Sequence, residues 1–467
     1  MNIKFLGAAR EVTGSKHLLT TPSGKKVLLD CGSFQGKGLA TDEKNRNPGI
    51  DPASVDHIIL THAHIDHSGM IPYFYRKGFR GSVICTHATR DLCAIMLADS
   101  GFIQEHDTRW FNKKRSRQGL PPVEPIYTRQ DAQKCMELFI GVSYNRKFRI
   151  DQEITVSFTN TGHLLGSAVA NLRISSGDKV TTIAYTGDIG RETNRILRPP
   201  DPFPECDYLI CESTYGDRLH EDNTSAEARL LQIINQTCVV QRGKLIIPSF
   251  AIGRTQELVY VLNNFYNEGK LPHVNIYVDS PLAVNATEIF RMHPECFNAE
   301  VHDVLSGDPD PFGFSSLKYI TKVEHSKKLN ESKEPCVIIS ASGMMEAGRI
   351  KHHLANNIGN PNNTILAVGY CAPETLGARL LIGVKEVSIF GFPHQIKARI
   401  ERIDSFSGHG DYAEMLRFLQ CLEPKKIRKT FLVHGDPDAQ AFFKNHLKKH
   451  GFRNVGVPAP GEESELV

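Results

Sequence analysis

No C-x-x-C pair occurs among the eleven cysteines, which are scattered from Cys31 to Cys421. Their number is odd and their spacing irregular, which argues against both a thiolate zinc site and a disulfide framework. Reduced thiols in a cytosol fit the pattern, so a cytoplasmic location is expected. No apolar run approaches the ~20 residues that cross a bilayer, and no membrane partner is expected. Residues 1–7 are too short for a signal peptide and read as a first strand. An excess of one charge is also lacking: 55 basic against 52 acidic residues leave +3. Any anion-binding surface must therefore be local. With 40% hydrophobic and 23% charged residues the chain is an ordinary globular one. Its 467 residues are too many for one core, so two or three lobes are expected.

What the chain does have is Thr61-His62-Ala63-His64-Ile65-Asp66-His67-Ser68-Gly69. Three histidines and an aspartate fall within six positions, directly after the apolar run His57-Ile58-Ile59-Leu60, which reads as a buried strand. Imidazole with carboxylate favours zinc or a similar transition metal over calcium or magnesium. His62 and His64 are two apart, so both can face one side of an extended segment. Asp66 and His67 follow as the chain turns and can face a second ion. A lone histidine is usually structural, but four ligand types at this spacing after a strand are not the pattern of a merely polar loop. Two ligands per ion close neither site, so others must come from elsewhere.

Two glycine-flanked positions qualify. Thr161-Gly162-His163-Leu164-Leu165-Gly166 places His163 past the strand expected at 155–159. Tyr185-Thr186-Gly187-Asp188-Ile189-Gly190 places Asp188 past the strand expected at 181–186. Between the histidine cluster and these loops lie a strand at 82–85, a helix near 90–98, and a less regular stretch at 100–127. That stretch carries Lys113-Lys114-Arg115-Ser116-Arg117, a run more often solvated than bound to nucleic acid. Thr128 to Asp131 form a capping box opening a helix expected to reach about residue 139.

The proline-rich Arg198-Pro199-Pro200-Asp201-Pro202-Phe203-Pro204 reads as a boundary. Beyond it, strands at 208–211, 245–247, 275–278, 337–339 and 365–368 alternate with helices, the pattern of a parallel sheet in a second, α/β domain ending near 388. Residues 387–467 return to strand texture. Small-residue loops at strand-to-helix junctions of the second domain contain Ser249 with Arg254, Ser342 and Gly343 with Arg349, and Thr375. Each loop alone is commonly just a capped turn. Three in one domain favour phosphate binding, by free helix N–H groups with an arginine beside them.

Glu212-Ser213-Thr214-Tyr215-Gly216, Ser407-Gly408-His409-Gly410-Asp411 and Leu432-Val433-His434-Gly435 complete the pattern. Together with the H-x-H-x-D-H motif and spread over about residues 1–460, they resemble the β-CASP branch of the metallo-β-lactamase superfamily. That branch includes ribonuclease J, the nuclease subunit of the eukaryotic pre-mRNA 3′-end cleavage complex, and compact bacterial and archaeal ribonucleases. The resemblance implies an αββα metallo-β-lactamase sandwich, residues 1–203 and 389–467, interrupted by an α/β β-CASP cap at 204–388.

The resemblance further implies two zinc ions, one on His62, His64 and His163, the other on Asp66, His67 and His434, with Asp188 bridging. Asp30, at the end of the strand expected at 27–30, would orient ligands from behind; the alternative is a cap or turn former. Water activated between the zincs would attack phosphorus, and His409, held by Glu212, would protonate the leaving 3′-oxygen; the alternative for His409 is a structural histidine. The expected activity is hydrolysis of single-stranded RNA to 5′-phosphate and 3′-hydroxyl ends, with His434 marking an RNA-type member. Relatives are commonly dimers, so a homodimer is an open expectation. A hydrolase of small esters or thioesters, a DNA nuclease and a non-catalytic scaffold are the alternatives. Family members often read Gly-Thr-Leu-Gly-Arg where this chain has Glu374-Thr375-Leu376-Gly377-Ala378-Arg379, which alters the expected grip on substrate.

Overall fold

Short runs of leucine and β-branched residues, closed by polar residues or glycine, form the strands of the computed structural model, which describes residues 1–36, 39–220, 223–369, 371, 375–403 and 407–466. The chain divides into two units. One comprises Met1–Glu192, Arg198–Leu219 and His409–Val467, the other Thr193–Leu197 and His220–Gly408.

The first unit holds two seven-stranded sheets. The first runs, in spatial order, Glu463–Glu465, Asn2–Gly7, Lys16–Thr20, Lys26–Leu29, His57–Ile59, Ser82–Thr86 and Phe139–Val142. It is antiparallel as far as Lys26–Leu29 and parallel beyond. The second runs Val455–Gly456, Lys429–Leu432, Tyr208–Cys211, Lys179–Tyr185, Ala168–Ser176, Ile154–Asn160 and Phe148–Arg149. Phe5, Leu19, Leu29, Ile59 and Ile84 of the first sheet share one buried cluster with Val156, Phe158, Leu172, Ile183 and Phe431 of the second. This inter-sheet layer follows from the period of two along each strand. Truncating a ring such as Phe158 there would cost about 3–5 kcal/mol. Helices Tyr412–Phe418 and Pro437–Lys449 cover the other face of the second sheet through Met415, Phe418, Phe443 and Leu447. His87–Arg117 packs on strands Ser82–Thr86 and Phe139–Val142 of the first. The unit is the expected αββα sandwich.

The second unit is built on a six-stranded parallel sheet, ordered Leu317–Tyr319, Asn275–Val278, Cys336–Ser340, Lys244–Pro248, Thr364–Val368 and Arg399–Ile403. Ile246, Ile338, Ile365, Leu354 and Leu376 lie in its core. A separate hairpin pairs Glu386–Ile389 with Phe392–Gln395.

Several elements differ from the sequence reading. Tyr208–Cys211 does not open the second domain; it pairs in parallel with Lys179–Tyr185 and Lys429–Leu432 of the first unit. Arg399–Ile403, past the boundary expected at 388, pairs with Thr364–Val368 in the second unit. The stretch expected to be less regular is so only beyond 117: the helix runs unbroken over His87–Arg117, and the basic run forms its last turns, where cations oppose the negative end of the helix dipole. The capping box forms between Thr128 and Asp131, but its helix, Arg129–Cys135, stops short because Phe139 begins an edge strand. The last eighty residues carry two helices besides strands. Among the described residues, no helix is long and apolar enough to cross a membrane.

Candidate metal centre

Six strands of the first unit end at one place, and each hands its next residues to the site. Lys26–Leu29 leads to Asp30, His57–Ile59 to His62, Ile154–Asn160 to His163, Lys179–Tyr185 to Asp188, Tyr208–Cys211 to Glu212, and Lys429–Leu432 to His434. The turn His64 to Gly69 adds a short helix, Ile65–Ser68, that carries Asp66 and His67. His409 arrives through a bridge between its own backbone and Gly190. Asp30 and His434 sit at φ +56° and +49°, left-handed conformations that ordinary side chains avoid unless the surroundings impose them.

The donor atoms form two main groups, and a third, overlapping set brings Glu212 beside Asp188 and His434. In the first, His62 Nε2 lies 3.1 Å from His64 Nδ1, and His64 Nδ1 lies 3.2 Å from His163 Nε2. Asp188 Oδ2 is 3.5 Å from His62 Nε2 and 3.4 Å from His163 Nε2. In the second, His67 Nε2 and His434 Nε2 are 3.2 Å apart, Asp66 Oδ2 is 3.4 Å from His434 Nε2, and Asp188 Oδ1 is 3.3 Å from His67 Nε2. Asp188 thus turns one oxygen to each group. Zinc–nitrogen bonds of about 2.05 Å make a tetrahedron with edges of about 3.3 Å. The spacing of both groups matches that value, and imidazole with carboxylate is a zinc-type donor set. All seven residues expected as ligands are brought together.

Hydrogen bonds fix which ring nitrogen faces inward. His67 Nδ1 donates to Asp30 Oδ2 at 2.6 Å. Asp30, fully buried, also accepts from the Thr61 amide at 2.7 Å, the Thr61 hydroxyl at 2.8 Å and the Tyr185 hydroxyl at 2.8 Å. His62 Nδ1 lies 3.2 Å from Thr61 Oγ1, and His434 Nδ1 lies 2.9 Å from Thr214 Oγ1. Such outer partners orient the rings and raise their basicity toward a metal. Burial pushes His62 well below the usual imidazole range and His64 down to about 4, so both favour the neutral, ligating form. Burial also disfavours charge on His67, but the Asp188 and Asp30 carboxylates outweigh it and hold the ring well above its ordinary value. Burial would raise Asp188; His434, His67 and His62 overcome that and hold its carboxyl well below the normal range. A buried anion among imidazoles is an environment ready for a cation.

Beside these groups, His409 Nδ1 lies 3.1 Å from Glu212 Oε2. The Glu212 carboxylate also accepts from the Ile189 amide and is 1% exposed. The His409 side chain keeps 21% of its surface. Burial opposes its charge, but Glu212 and then Asp188 raise it to about 9. His409 belongs to neither of the two donor groups.

A layer of backbone clamps holds the turn of Asp66 and His67 from behind. The Ser15 amide donates to Asp66 O at 2.8 Å, and the Cys31 amide to His67 O at 2.7 Å. Lys16, 1% exposed, donates through Nζ to Gly32 O at 2.6 Å and Gly14 O at 3.1 Å, tying the two clamping loops together. Lys16, Thr61, Thr214 and Tyr185 escaped the sequence reading. Thr61, Thr214 and Tyr185 stand inside motifs already noted; Lys16 carries no local signal.

The other expected residues lie in the second unit, at the carboxyl ends of its parallel strands. Ser249 follows Lys244–Pro248, and Ser342 and Gly343 follow Cys336–Ser340. Thr375 caps helix Leu376–Leu381, accepting from the Ala378 amide at 3.2 Å. Ser249 is buried, and Gly343 lies against Phe250, where a Cβ would meet the ring at 2.9 Å. The two arginines do not stand open toward a ligand: Arg254 Nη1 donates to Glu257 at 2.9 Å, and Arg349 Nη1 donates to Asp279 at 2.6 Å and to Ile320 O. Glu374 lies outside the described residues.

Three family models match the chain: Metallo-beta-lactamase superfamily over residues 17–236, Beta-Casp domain over 255–380, and Zn-dependent metallo-hydrolase RNA specificity domain over 393–458. A ribonuclease of Thermus thermophilus is 36% identical over 440 residues, covering 94% of both chains. An RNase J-like protein of Methanocaldococcus jannaschii is 34% identical, covering 93% of this chain and 92% of its own. The transcription termination factor FttA of the same organism is 33% identical, covering 98% of this chain and 70% of its own.

Proposed function

Because the chain belongs to the β-CASP branch of the metallo-β-lactamase superfamily, we propose that it is a zinc-dependent ribonuclease that hydrolyses single-stranded RNA to 5′-phosphate and 3′-hydroxyl ends. The observation that carries the reading is the juxtaposition of two donor groups sharing Asp188 with a separate His409–Glu212 pair. The first arrangement suits phosphodiester activation; the second supplies a proton that an ester or thioester hydrolase has less need of. The relatives named for RNA chemistry, and the RNA specificity match that spans both His409 and His434, support RNA as substrate.

His62, His64, His163 and Asp188 would hold one zinc, and Asp66, His67, His434 and Asp188 the other. Zinc there would supply Lewis acidity against the charge that builds on the phosphate. Asp30 keeps His67 Nδ1 occupied so that Nε2 faces inward, and Thr214 does the same for His434. Glu212 accepts a hydrogen bond from His409 Nδ1–H and stabilises the imidazolium, so that the Nε2 proton can pass to the departing 3′-oxygen and leave a neutral ring. Ser342, Gly343 and Thr375 would line the RNA path, while buried Ser249 braces its loop through Phe250 and Thr255, and Arg254 and Arg349 shape theirs through their carboxylate partners. The metallo-β-lactamase domain would extend past 203 to include Tyr208–Cys211 and resume near 409 rather than 389. The irregular scatter of eleven cysteines without a C-x-x-C pair favours a reducing, cytoplasmic setting.

The test is a time course on a 5′-labelled single-stranded RNA with zinc-replete protein beside His409→Ala. A ladder or mononucleotide product made by wild type and lost in the variant is the expected result, and its shape tells internal from terminal cutting. Intact RNA with turnover of DNA or of small esters would overturn the reading in favour of those substrates. Intact RNA with no turnover at all would favour a scaffold.

A further inference from the structure

The helix His87–Arg117 serves two environments. Its first half is buried through Ala88, Leu92, Cys93, Met96, Leu97 and Gly101. At its start the hydroxyls of Thr86 and Thr89 donate to Gly166 O at 2.6 and 2.9 Å, bracing the loop that presents His163. After Gly101 no residue of the helix is buried. The protruding half leaves Phe102 47%, Trp110 66% and Phe111 39% exposed, and Trp110 is the only tryptophan of the chain.

Charge along this half is sorted. From Arg109 to Arg117 there are five cations and no anion; Glu105 and Asp107 precede them. The return leg is fastened by Asn112, which bonds Val123 N and O, and by Arg115 to Pro121 O. Lys113, Lys114 and Arg117 make no ion pair among the described residues. His106, Arg109, Trp110, Lys113, Arg117 and Leu120 line one shallow groove; those on the helix follow its three-to-four-residue repeat, so they share a face.

An anion-free row of cations around an exposed indole is the chemistry that holds single-stranded nucleic acid: cations follow the phosphates, and a base stacks on the ring. A helix lying on an anionic bilayer carries its cations and its aromatic residues on opposite faces, whereas Arg109, Trp110, Lys113 and Arg117 share one face here. We propose that this stripe is an accessory binding site for single-stranded RNA, remote from the metal centre; the identity of the strand rests on the ribonuclease reading above. From Thr89 to Trp110 the helical rise covers about 32 Å, and the stripe itself about 16 Å, room for roughly three to five nucleotides. One RNA can therefore touch stripe and centre together only if it is long.

The experiment titrates metal-free protein with oligouridines of 4 and 30 nucleotides and follows Trp110 fluorescence, with Trp110→Phe and the double variant Lys113→Gln/Arg117→Gln assayed by polarisation of labelled RNA. Expected are quenching by RNA but not by a base-free polyanion, about tenfold weaker binding of the 30-mer by either variant, and a salt slope lowered by about 1.4 in the double variant. With zinc, the variants should raise KM on the 30-mer and leave kcat/KM on the 4-mer unchanged. Equal binding by wild type and variants, or quenching by the base-free polyanion as well, overturns the stripe even where RNA is cut normally. Dimers that the double variant dissociates, with RNA affinity intact, overturn it in favour of a second copy of the chain. RNA binding through Trp110 without any cleavage supports the stripe and counts against the ribonuclease reading instead.

Discussion

Glu212 grips His409 across 197 positions of sequence, with ring Nδ1 and carboxylate Oε2 separated by 3.1 Å. The same carboxylate accepts from the Ile189 amide, one residue past Asp188. The proposed proton donor and the residue after the proposed bridging ligand are thereby tied to one buried side chain.

His409→Ala should keep its zinc and lose turnover by ~10²- to 10⁴-fold, the usual worth of a positioned proton donor. Glu212→Gln should lose less, and the double variant little more than His409→Ala alone, since the two act as a unit. Metal analysis beside single-turnover rates checks this; a loss of zinc in His409→Ala would make it a ligand instead.

Asp30 receives four hydrogen bonds while fully buried. Asp30→Asn puts an amide NH₂ where donors already point. Zinc affinity should fall by about 10- to 100-fold, as for other residues that orient a ligating imidazole. Competition with a chelator measures it, and melting of the metal-free protein separates lost affinity from lost fold.

A Cβ at Gly32 would stand 1.6 Å from the Asp66 carbonyl oxygen, a backbone atom that cannot swing aside. Gly32→Ala should therefore shift Asp66 and His67 while sparing His62, His64 and His163. We expect zinc content to fall from about two ions per chain toward one. Two ions retained in the variant would show that the turn relaxes without moving its ligands.

His17 is buried between the rings of Phe5 and Tyr185, and neither of its nitrogens has a hydrogen-bond partner among the described residues. Burial lowers its pKa from 6.5 to about 3. Between those values the unfolded chain binds the extra proton. The stability this site contributes is whole above pH 6.5 and is lost as the pH falls toward 3, by at most about 1.4 kcal/mol per unit. His17→Leu should flatten the fall. Urea midpoints of metal-free wild type and variant from pH 7 to 4 test it, and parallel curves would remove His17 as the cause.

The clustered donors were legible because their chemistry is local: His62 to His67 declare themselves by spacing, and His163 and Asp188 by glycine-flanked strand ends. Pairing partners were not. Tyr208–Cys211 follows a proline-rich stretch and looks like the start of something new, yet its neighbour Lys429–Leu432 lies some 220 residues on, and no periodicity encodes that. The partner of Arg254 stands three residues away at Glu257 and was within reach of a careful reading; that of Arg349, Asp279, is 70 positions upstream. The protruding half of His87–Arg117 hid its helicity because it buries nothing and so shows no apolar repeat.

The order in which the chain emerges from a ribosome gives the split unit a further meaning. His62, His64, His163 and Asp188 are all translated in the first 188 residues, while His409 and His434 wait for the last sixty. The second sheet, too, lacks Lys429–Leu432 until then, leaving Tyr208–Cys211 as its edge. A nascent chain can thus gather one set of donors long before it owns His409 or His434. Closing the second sheet and bringing in these two histidines are one event, well after Asp188 has been made.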